Sequence, residues 1–450
     1  MTASAFEPTA RPIVEPRTLR GFRDLLPETA AYRTWCIERI GATFRSFGFQ
    51  PIVTPALEYA EILRGKASED HDREMYEFRD RGGRDVGMRF DLTVPLARFV
   101  AEHRGELGLP LRLYQIGPVW RGERPQSGRY REFVQCDADI LGSESLVADA
   151  EVVAMLCQAM LNLEIRPFTI RVSDRRVLTG FLDQSGVDAE PSAVMRTLDK
   201  VDRLPHDELV GTLGDLGVPP PTADELLRTV TESADDDAAE LDRLAARVGD
   251  SDVGKLAVQR LRELRARLAD LGVPASNVRI DPAVVRGLDY YTGVVFETSY
   301  HGAPSIGSIC SGGRYDNLTL VYSKHRTPGV GGSVGIDRLL HAVLELEGIE
   351  PDTHARPVVF GGTTADDQAR LFDVARRLRA SGIPVDVHPD PVPFKKLRQY
   401  AGRRQSPLVA SLSDGEVRLG PPKGGPVEPC ALDELAGEIQ RRIAATAGKQ

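Results

Sequence analysis

The chain of 450 residues is poor in cysteine, with five, at positions 36, 136, 157, 310 and 430. None forms a Cys-x-x-Cys pair and their number is odd, which argues against a disulfide framework or a structural zinc. Its eight histidines include no His-Glu-x-x-His spacing, so a zinc-protease type of site is not indicated. It has no Walker-type phosphate loop and no Gly-x-Gly-x-x-Gly after a strand, which removes the common nucleotide folds. No apolar run is long enough to span a bilayer, and Met1 to Pro16 has no apolar core of signal-peptide type. A cytoplasmic protein without membrane contact is expected, and its thiols read as small core residues in a reducing compartment. Positive charge is not in excess: 57 Lys and Arg stand against 66 Asp and Glu, a formal net charge of -9. That balance does not suggest a protein that coats nucleic acid such as DNA, but it leaves room for RNA binding through a local basic face.

The composition is otherwise that of a globular protein, 41% hydrophobic and 27% charged, long enough for about two to four domains. The stretch richest in chemistry is Val285-Arg286-Gly287-Leu288-Asp289-Tyr290-Tyr291-Thr292-Gly293. Arginine is always charged and binds carboxylate or phosphate as a fork. Tyrosine adds a flat apolar body with one hydroxyl. A strand edge with an exposed arginine and two packed tyrosines is the plain reading; a ligand site is the other. Upstream, Glu74–Phe78 and Val86–Phe90 flank the turn Arg81-Gly82-Gly83-Arg84 as a hairpin. It delivers Asp91-Leu92-Thr93 to a helix start with Pro95 in its first turn. Asp91 is either a helix cap or, with Thr93, a holder for an ammonium group.

Residues 111–121 and 133–140 read as strands joined by a polar loop. Strand period puts Phe133, Gln135, Asp137 and Asp139 on one face. A polar face bounded by apolar residues meets water or a ligand. An arginine, Arg121, opposite Phe133 suits a nucleotide: ring on base, guanidinium on phosphate. A solvated charged hairpin is the alternative. Residues 143–163 form an amphipathic helix capped by Ser143 or Ser145. Further on, the glycine-rich strand Gly329–Gly335 enters a helix at Ile336-Asp337-Arg338, either a packed turn or a recess for a flat ring.

Arg286 to Gly293 resembles the signature that histidyl-tRNA synthetases carry for their amino acid. The run Arg121-Gly122-Glu123-Arg124-Pro125-Gln126-Ser127-Gly128-Arg129-Tyr130-Arg131-Glu132-Phe133 is similar to that family's motif 2. Residues 329–338 resemble motif 3 of class II synthetases. The resemblance runs from Arg20 to the C-terminal region. It implies an α+β catalytic domain on an antiparallel sheet, at 18–173 and 276–350, behind a flexible arm at 1–17. It also implies a helical insertion at 174–275 and a C-terminal α/β anticodon-binding-type domain at 356–450. The activity implied is ATP-dependent attachment of L-histidine to its tRNA through histidyl-adenylate, in a homodimer, with Mg2+ on the phosphates and no confident metal ligand from the protein.

By the same resemblance Arg121 and Arg286 flank the alpha-phosphate and Arg338 holds the gamma-phosphate. Glu123 and Arg129 contact ATP, and Phe133 stacks on adenine. Asp91 and Thr93 hold the histidine amino group, and Gln135 its backbone. Asp139 and Tyr291 read the imidazole nitrogens, while Tyr290 and Tyr315 close the pocket. Arg124 and Gln126 reach the tRNA acceptor end. Lys395, Lys396 and Arg398 form a basic face toward the anticodon region, where a merely solvated run is the alternative. Two rival functions remain: a catalytically silent regulatory subunit of histidine biosynthesis, and an amino-acid-activating relative with a non-tRNA acceptor.

Overall fold

The structure, a computed structural model, describes residues 14–65, 74–125, 127–201, 203–285, 290–348, 356–413 and 415–447. Most of the expected arm and of the linker before Arg356 lies outside the described residues. The chain divides into two compact units, residues 1–351 and 352–450.

The strands of the first unit are β1 (Gln50–Pro51), β2 (Leu57–Tyr59), β3 (Glu77–Arg79), β4 (Asp85–Met88), β5 (Leu111–Trp120), β6 (Glu132–Leu141), β7 (Phe168–Asp174), β8 (Val278–Ile280), β9 (Val294–Tyr300), β10 (Ser308–Tyr315) and β11 (Gly329–Gly335). One large sheet has the order β1-β5-β6-β11-β10-β9-β7-β8, and β2-β4-β3 form a small one. From β5 to β7 each neighbouring pair in the large sheet is antiparallel. The parallel pairs are at its edges, β1 on β5 and β7 on β8. Pro51 sits in the edge strand β1, where a missing N–H costs least.

Alternation along β6 builds two faces. Val134, Cys136, Ala138 and Ile140 are buried in the core behind the sheet. That core is covered by the helices Pro27–Ser46 and Leu146–Asn162. The second of these is capped by Ser145, whose hydroxyl accepts from Val147 N at 3.2 Å. The first of these helices has Pro27 at its first position, where its fixed φ suits a helix.

The helical insertion expected at 174–275 does not pack as one separate body. Residue Asp174 still belongs to β7. Leu178, Phe181, Val194, Leu198, Leu209, Leu213, Leu226 and Leu227 share a core of their own. The helices Asp237–Val248 and Asp252–Asp270 instead place Leu241, Leu244, Ala257, Leu261, Leu264 and Leu268 in the sheet's core. Leu271, the next leucine in this row, is exposed. Apolar periodicity marks a buried face without naming the neighbour that buries it.

In the second unit β12 (Val358–Gly362), β13 (Val385–Val387), β14 (Val409–Ser413), β15 (Glu416–Gly420) and β16 (Glu428–Cys430) take the order β13-β12-β14-β15-β16. Pairing is parallel around β12 and antiparallel beyond β14. Sequence reading missed β16, a short strand with Pro429 at the sheet edge. The helix Ala365–Ala380 starts with a capping box between Thr364 and Asp367, which satisfies donors left open at a helix start.

One buried ion pair ties β10 to the covering helix. Arg314 donates to Asp149 at 2.9 and 2.6 Å and to the carbonyls of Ser143 and Ser145 at 3.0 and 3.3 Å. Both side chains are nearly inaccessible. Arg314→Met would leave the Asp149 carboxylate with Arg260, 3.6 Å away, as its remaining ionic partner. A destabilisation of about 3–5 kcal/mol is expected, seen as a lower urea midpoint; an unchanged midpoint would contradict it.

Candidate active site

The polar face of β6 lies at the floor of two adjoining cavities. One, about 220 Å³, is lined by Asp91, Thr93, Gln135, Asp137, Asp139, Tyr290, Tyr291, Glu297 and Tyr315 among others. The second, about 120 Å³, is lined by Glu123, Arg129, Tyr130, Phe133, Asp337 and Arg338 among others. Arg121, Gln135, Ser311 and Ser333 line both. The first cavity is therefore rich in acids and phenols, the second in guanidinium groups.

Glycines make room for the first cavity. A Cβ on Gly331 would stand 1.7 Å from Asp139 Oδ1, and one on Gly312 would stand 2.2 Å from the Gly331 carbonyl oxygen. At Gly312 the clash is with sheet backbone and cannot be relieved by a side-chain rotation; at Gly331 it would displace the Asp139 carboxylate.

Asp91 plays two parts. Its Oδ1 accepts from Val94 N at 3.0 Å, in the first turn of the helix Thr93–Glu102. Its Oδ2 is buried without a hydrogen-bond partner. Burial lifts its carboxyl to about 6, against the pull of the Val94 N–H, Arg121 and the Tyr290 hydroxyl. Asp139 Oδ1 accepts from the Tyr315 hydroxyl at 2.6 Å. Burial raises that carboxyl to about 7, opposed by the same hydroxyl and reinforced by Asp91. Asp137, with Oδ1 unpartnered, is pushed well above the usual carboxylate range by burial and then by Asp139. Tyr290 stacks edge-on against Tyr291 and Tyr315, with ring centroids 4.9 and 5.8 Å apart. A pocket with this much uncompensated negative character suits a small cationic group able to donate several hydrogen bonds.

In the second cavity Arg338 donates to the Ser308 carbonyl at 2.9 Å. Burial, then Arg129 and Arg121, lower its guanidinium to about 10. Like charges gathered in a partly dry recess favour a polyanion. Arg121 donates to the Phe90 carbonyl at 3.0 Å, and its guanidinium lies 5.2 Å from the Phe133 ring centre. Glu123 and Arg129 are 3.7 Å apart.

Arg121, Arg129 and Arg338 thus converge. Arg286 and Gln126 lie outside the described residues, and Arg124 is exposed. In the second unit Lys395 and Arg398 line a groove of about 800 Å³ with Arg403 and Lys423. Arg398 is engaged there, donating to the carbonyls of Pro422 and Gly424 at 3.3 and 2.8 Å. Lys396 is exposed and outside that groove's lining.

Sequence reasoning gave no part to Glu297, Ser311 or Ser333, nor to the ion pair of Arg23 with Asp337 beneath the second cavity. Asp337 also accepts from Val134 N at 2.6 Å. Glu297 could have been found by strand period, since Val295 and Glu297 share one face of β9; the Arg23 pair spans most of the unit and left no local signal.

The sequence model of the family described as "Histidyl-tRNA synthetase" matches residues 21–339. A histidine–tRNA ligase of Wolinella succinogenes is 41% identical over 434 residues, 95% of this chain and 98% of the relative. One from Rhodopirellula baltica is 43% identical over 407 residues, 90% of this chain and 91% of the relative. The crystal structure of histidyl-tRNA synthetase from Nostoc sp. PCC 7120 superposes with a TM-score of 0.84 at 29% identity, covering 96% of this chain and all of that one. A sheet carrying an acidic cavity against a basic one, a family model matching most of the first unit, and relatives matched nearly end to end lead to one assignment: the chain belongs to the histidyl-tRNA synthetase family.

Proposed function

We propose that this chain is a histidine–tRNA ligase, activating L-histidine with ATP and transferring it to tRNA. The observation that carries this reading is the pair of cavities sharing Arg121. Histidine would occupy the acidic cavity and ATP the basic one, so the carboxylate and the alpha-phosphate meet beside Arg121. Asp91 Oδ2 and Thr93 would take the ammonium, and Gln135 the backbone. Asp139 and Tyr291 would take the two imidazole nitrogens, with Tyr290 and Tyr315 as walls. Phe133 would stack on adenine. Glu123 and Arg129 would contact ATP, and Arg338 would hold the far phosphates.

The reaction then needs positioning and charge stabilisation more than covalent help from the protein. A histidine carboxylate oxygen attacks the alpha-phosphorus, and the bond to pyrophosphate breaks. Arg121, with Arg286 by the family resemblance, stabilises charge on the alpha-phosphate. The terminal ribose hydroxyl of the tRNA then attacks the carbonyl carbon and AMP leaves. Magnesium would neutralise the leaving phosphates. Glu123 and Glu297, whose charges act on Arg338, fit the one or two carboxylates that this ion usually takes beside phosphate. Arg124 and Gln126 would approach the acceptor end. The groove at Lys395 and Arg398 offers a basic face to the anticodon region, with Lys396 exposed beside it.

A homodimer is part of the reading. Val53, Leu57 and Tyr59 are exposed, and Leu57 and Tyr59 border a groove of about 900 Å³, an apolar surface of the kind that partners cover. A cytoplasmic site suits the five free thiols, four of them buried; among the described residues no helix is long and apolar enough to cross a membrane.

The full chain should catalyse histidine-dependent exchange of pyrophosphate into ATP and charge a tRNA transcript. No exchange would favour the silent regulatory reading, and exchange without charging the non-tRNA acceptor. Arg121→Ala and Arg286→Ala should each lower exchange by about 100–1,000-fold in a folded protein; near-normal exchange would remove that arginine from its role.

Histidine affinity should also depend on pH. The folded carboxyls of Asp91 and Asp139 lie at about 6 and about 7, above their usual 3.8. A raised carboxylate pKa means the folded protein holds protons that the unfolded chain has released, so these groups lower stability as pH rises between those values. Bound histidine supplies the missing positive charge. The rise in melting temperature caused by histidine should therefore grow from about pH 5 to pH 8; a constant rise would contradict this.

A further inference from the structure

The loop between β5 and β6 is seated by a set of contacts that the reaction itself does not use. The Ser127 hydroxyl lies 2.6 Å from Nε2 of His341, 214 residues away in the chain. His341 Nδ1 lies 2.8 Å from Glu345 Oε2, off the direction of a regular ring-nitrogen hydrogen bond. The Glu345 carboxylate thus stands beside Nδ1, and Ser127 and Nε2 share a hydrogen bond whose donor is set by the ring's tautomer. His341 is buried and begins a π-helical turn, His341–Leu346, directly after the helix Ile336–Leu340 that carries Asp337 and Arg338. Such turns often occur at functional sites.

Neighbouring residues show how closely the loop sits. Gly128 has a φ of +68°, and a Cβ there would fall 2.3 Å from Ile306 Cδ1 and 3.2 Å from His341 Cδ2. Two residues on, the Tyr130 ring lies 3.6 Å from the Arg23 guanidinium, and Arg23 pairs with Asp337. The loop is thus fastened on both sides of Arg129, and both fastenings lead to the chain segment 336–345. Neither Ser127 nor His341 lines the basic cavity, whereas Glu123, Gly128 and Arg129 do. A hydroxyl, an imidazole and a carboxylate in this order also occur in hydrolases. Here the hydroxyl is turned toward the histidine and away from the cavity's lining, so it positions the loop.

We propose that Ser127, His341 and Glu345 form a latch of positioning residues that holds the 127–131 segment, with Arg129, at the basic cavity and so sets ATP affinity. The latch serves adenylate formation through Gly128 and Arg129, which line the basic cavity. It rests on the assignment of the basic cavity to ATP.

The test uses the full chain. Ser127→Ala should raise the KM for ATP in pyrophosphate exchange by about 3–10-fold, the range of one lost neutral hydrogen bond, with the KM for histidine within about twofold. Ser127→Thr, which keeps the hydroxyl, should restore it, and Glu345→Gln should shift it the same way by less. Hydrogen exchange of the 127–131 amides should quicken in Ser127→Ala without ATP, a readout that does not need activity. An unchanged KM for ATP, a parallel rise in both KM values, or unaltered amide exchange would overturn the latch. Absence of any pyrophosphate exchange by the unaltered chain, with the amide effect present, would instead overturn the ATP assignment.

Discussion

Separation of charge across one face of a sheet governs this structure. Asp91, Asp137, Asp139 and Glu297 line one cavity, while Arg121, Arg129 and Arg338 line its neighbour. Each group is costly by itself: burial lifts the three aspartic carboxyls and lowers Arg338. On the acidic side Asp91 Oδ2 and Asp137 Oδ1 are buried without a hydrogen-bond partner. Unpaired buried charge persists only when the surrounding fold has stability to spare. A ligand bearing an ammonium at one end and phosphates at the other would relieve both sides.

The rest of the first unit supports that arrangement. Strand alternation sends Val134, Cys136, Ala138 and Ile140 into a continuous apolar core and leaves Phe133, Gln135, Asp137 and Asp139 outward. Gly312 and Gly331 let two strands approach without side chains filling the cavity. Arg314 and Asp149 show the opposite use of buried charge: fully paired, they join β10 to its covering helix. A paired ion couple holds the frame while the partnerless oxygens of Asp91 and Asp137 face the cavity, which is how a strained site can sit in a stable scaffold.

Several elements were legible from residue order because their cause is local. The two long strands expected at 111–121 and 133–140 are Leu111–Trp120 and Glu132–Leu141, and the cap left between Ser143 and Ser145 is Ser145. Other features were not legible because their cause is distant. The second half of the 174–275 segment joins the main core through contacts that periodicity cannot name. Strand β16 exists because β15 offers it a paired edge. Asp337 is tied to Arg23 from the start of the chain.

Residue order alone determined which side chains alternate on β6, that Arg121 and Phe133 stand on facing strands, and that the run from Arg121 to Phe133 belongs to a known kind of site. Those statements depend on strand period and on side-chain chemistry, both carried by neighbours in the chain. Tertiary structure alone decided that Arg129 joins Arg121 and Arg338, that Tyr315 donates to Asp139, and that Ser127 meets His341. Each of these pairs distant segments whose meeting is set by sheet order and by the glycine-lined approach of β10 and β11, and no local pattern encodes such a meeting.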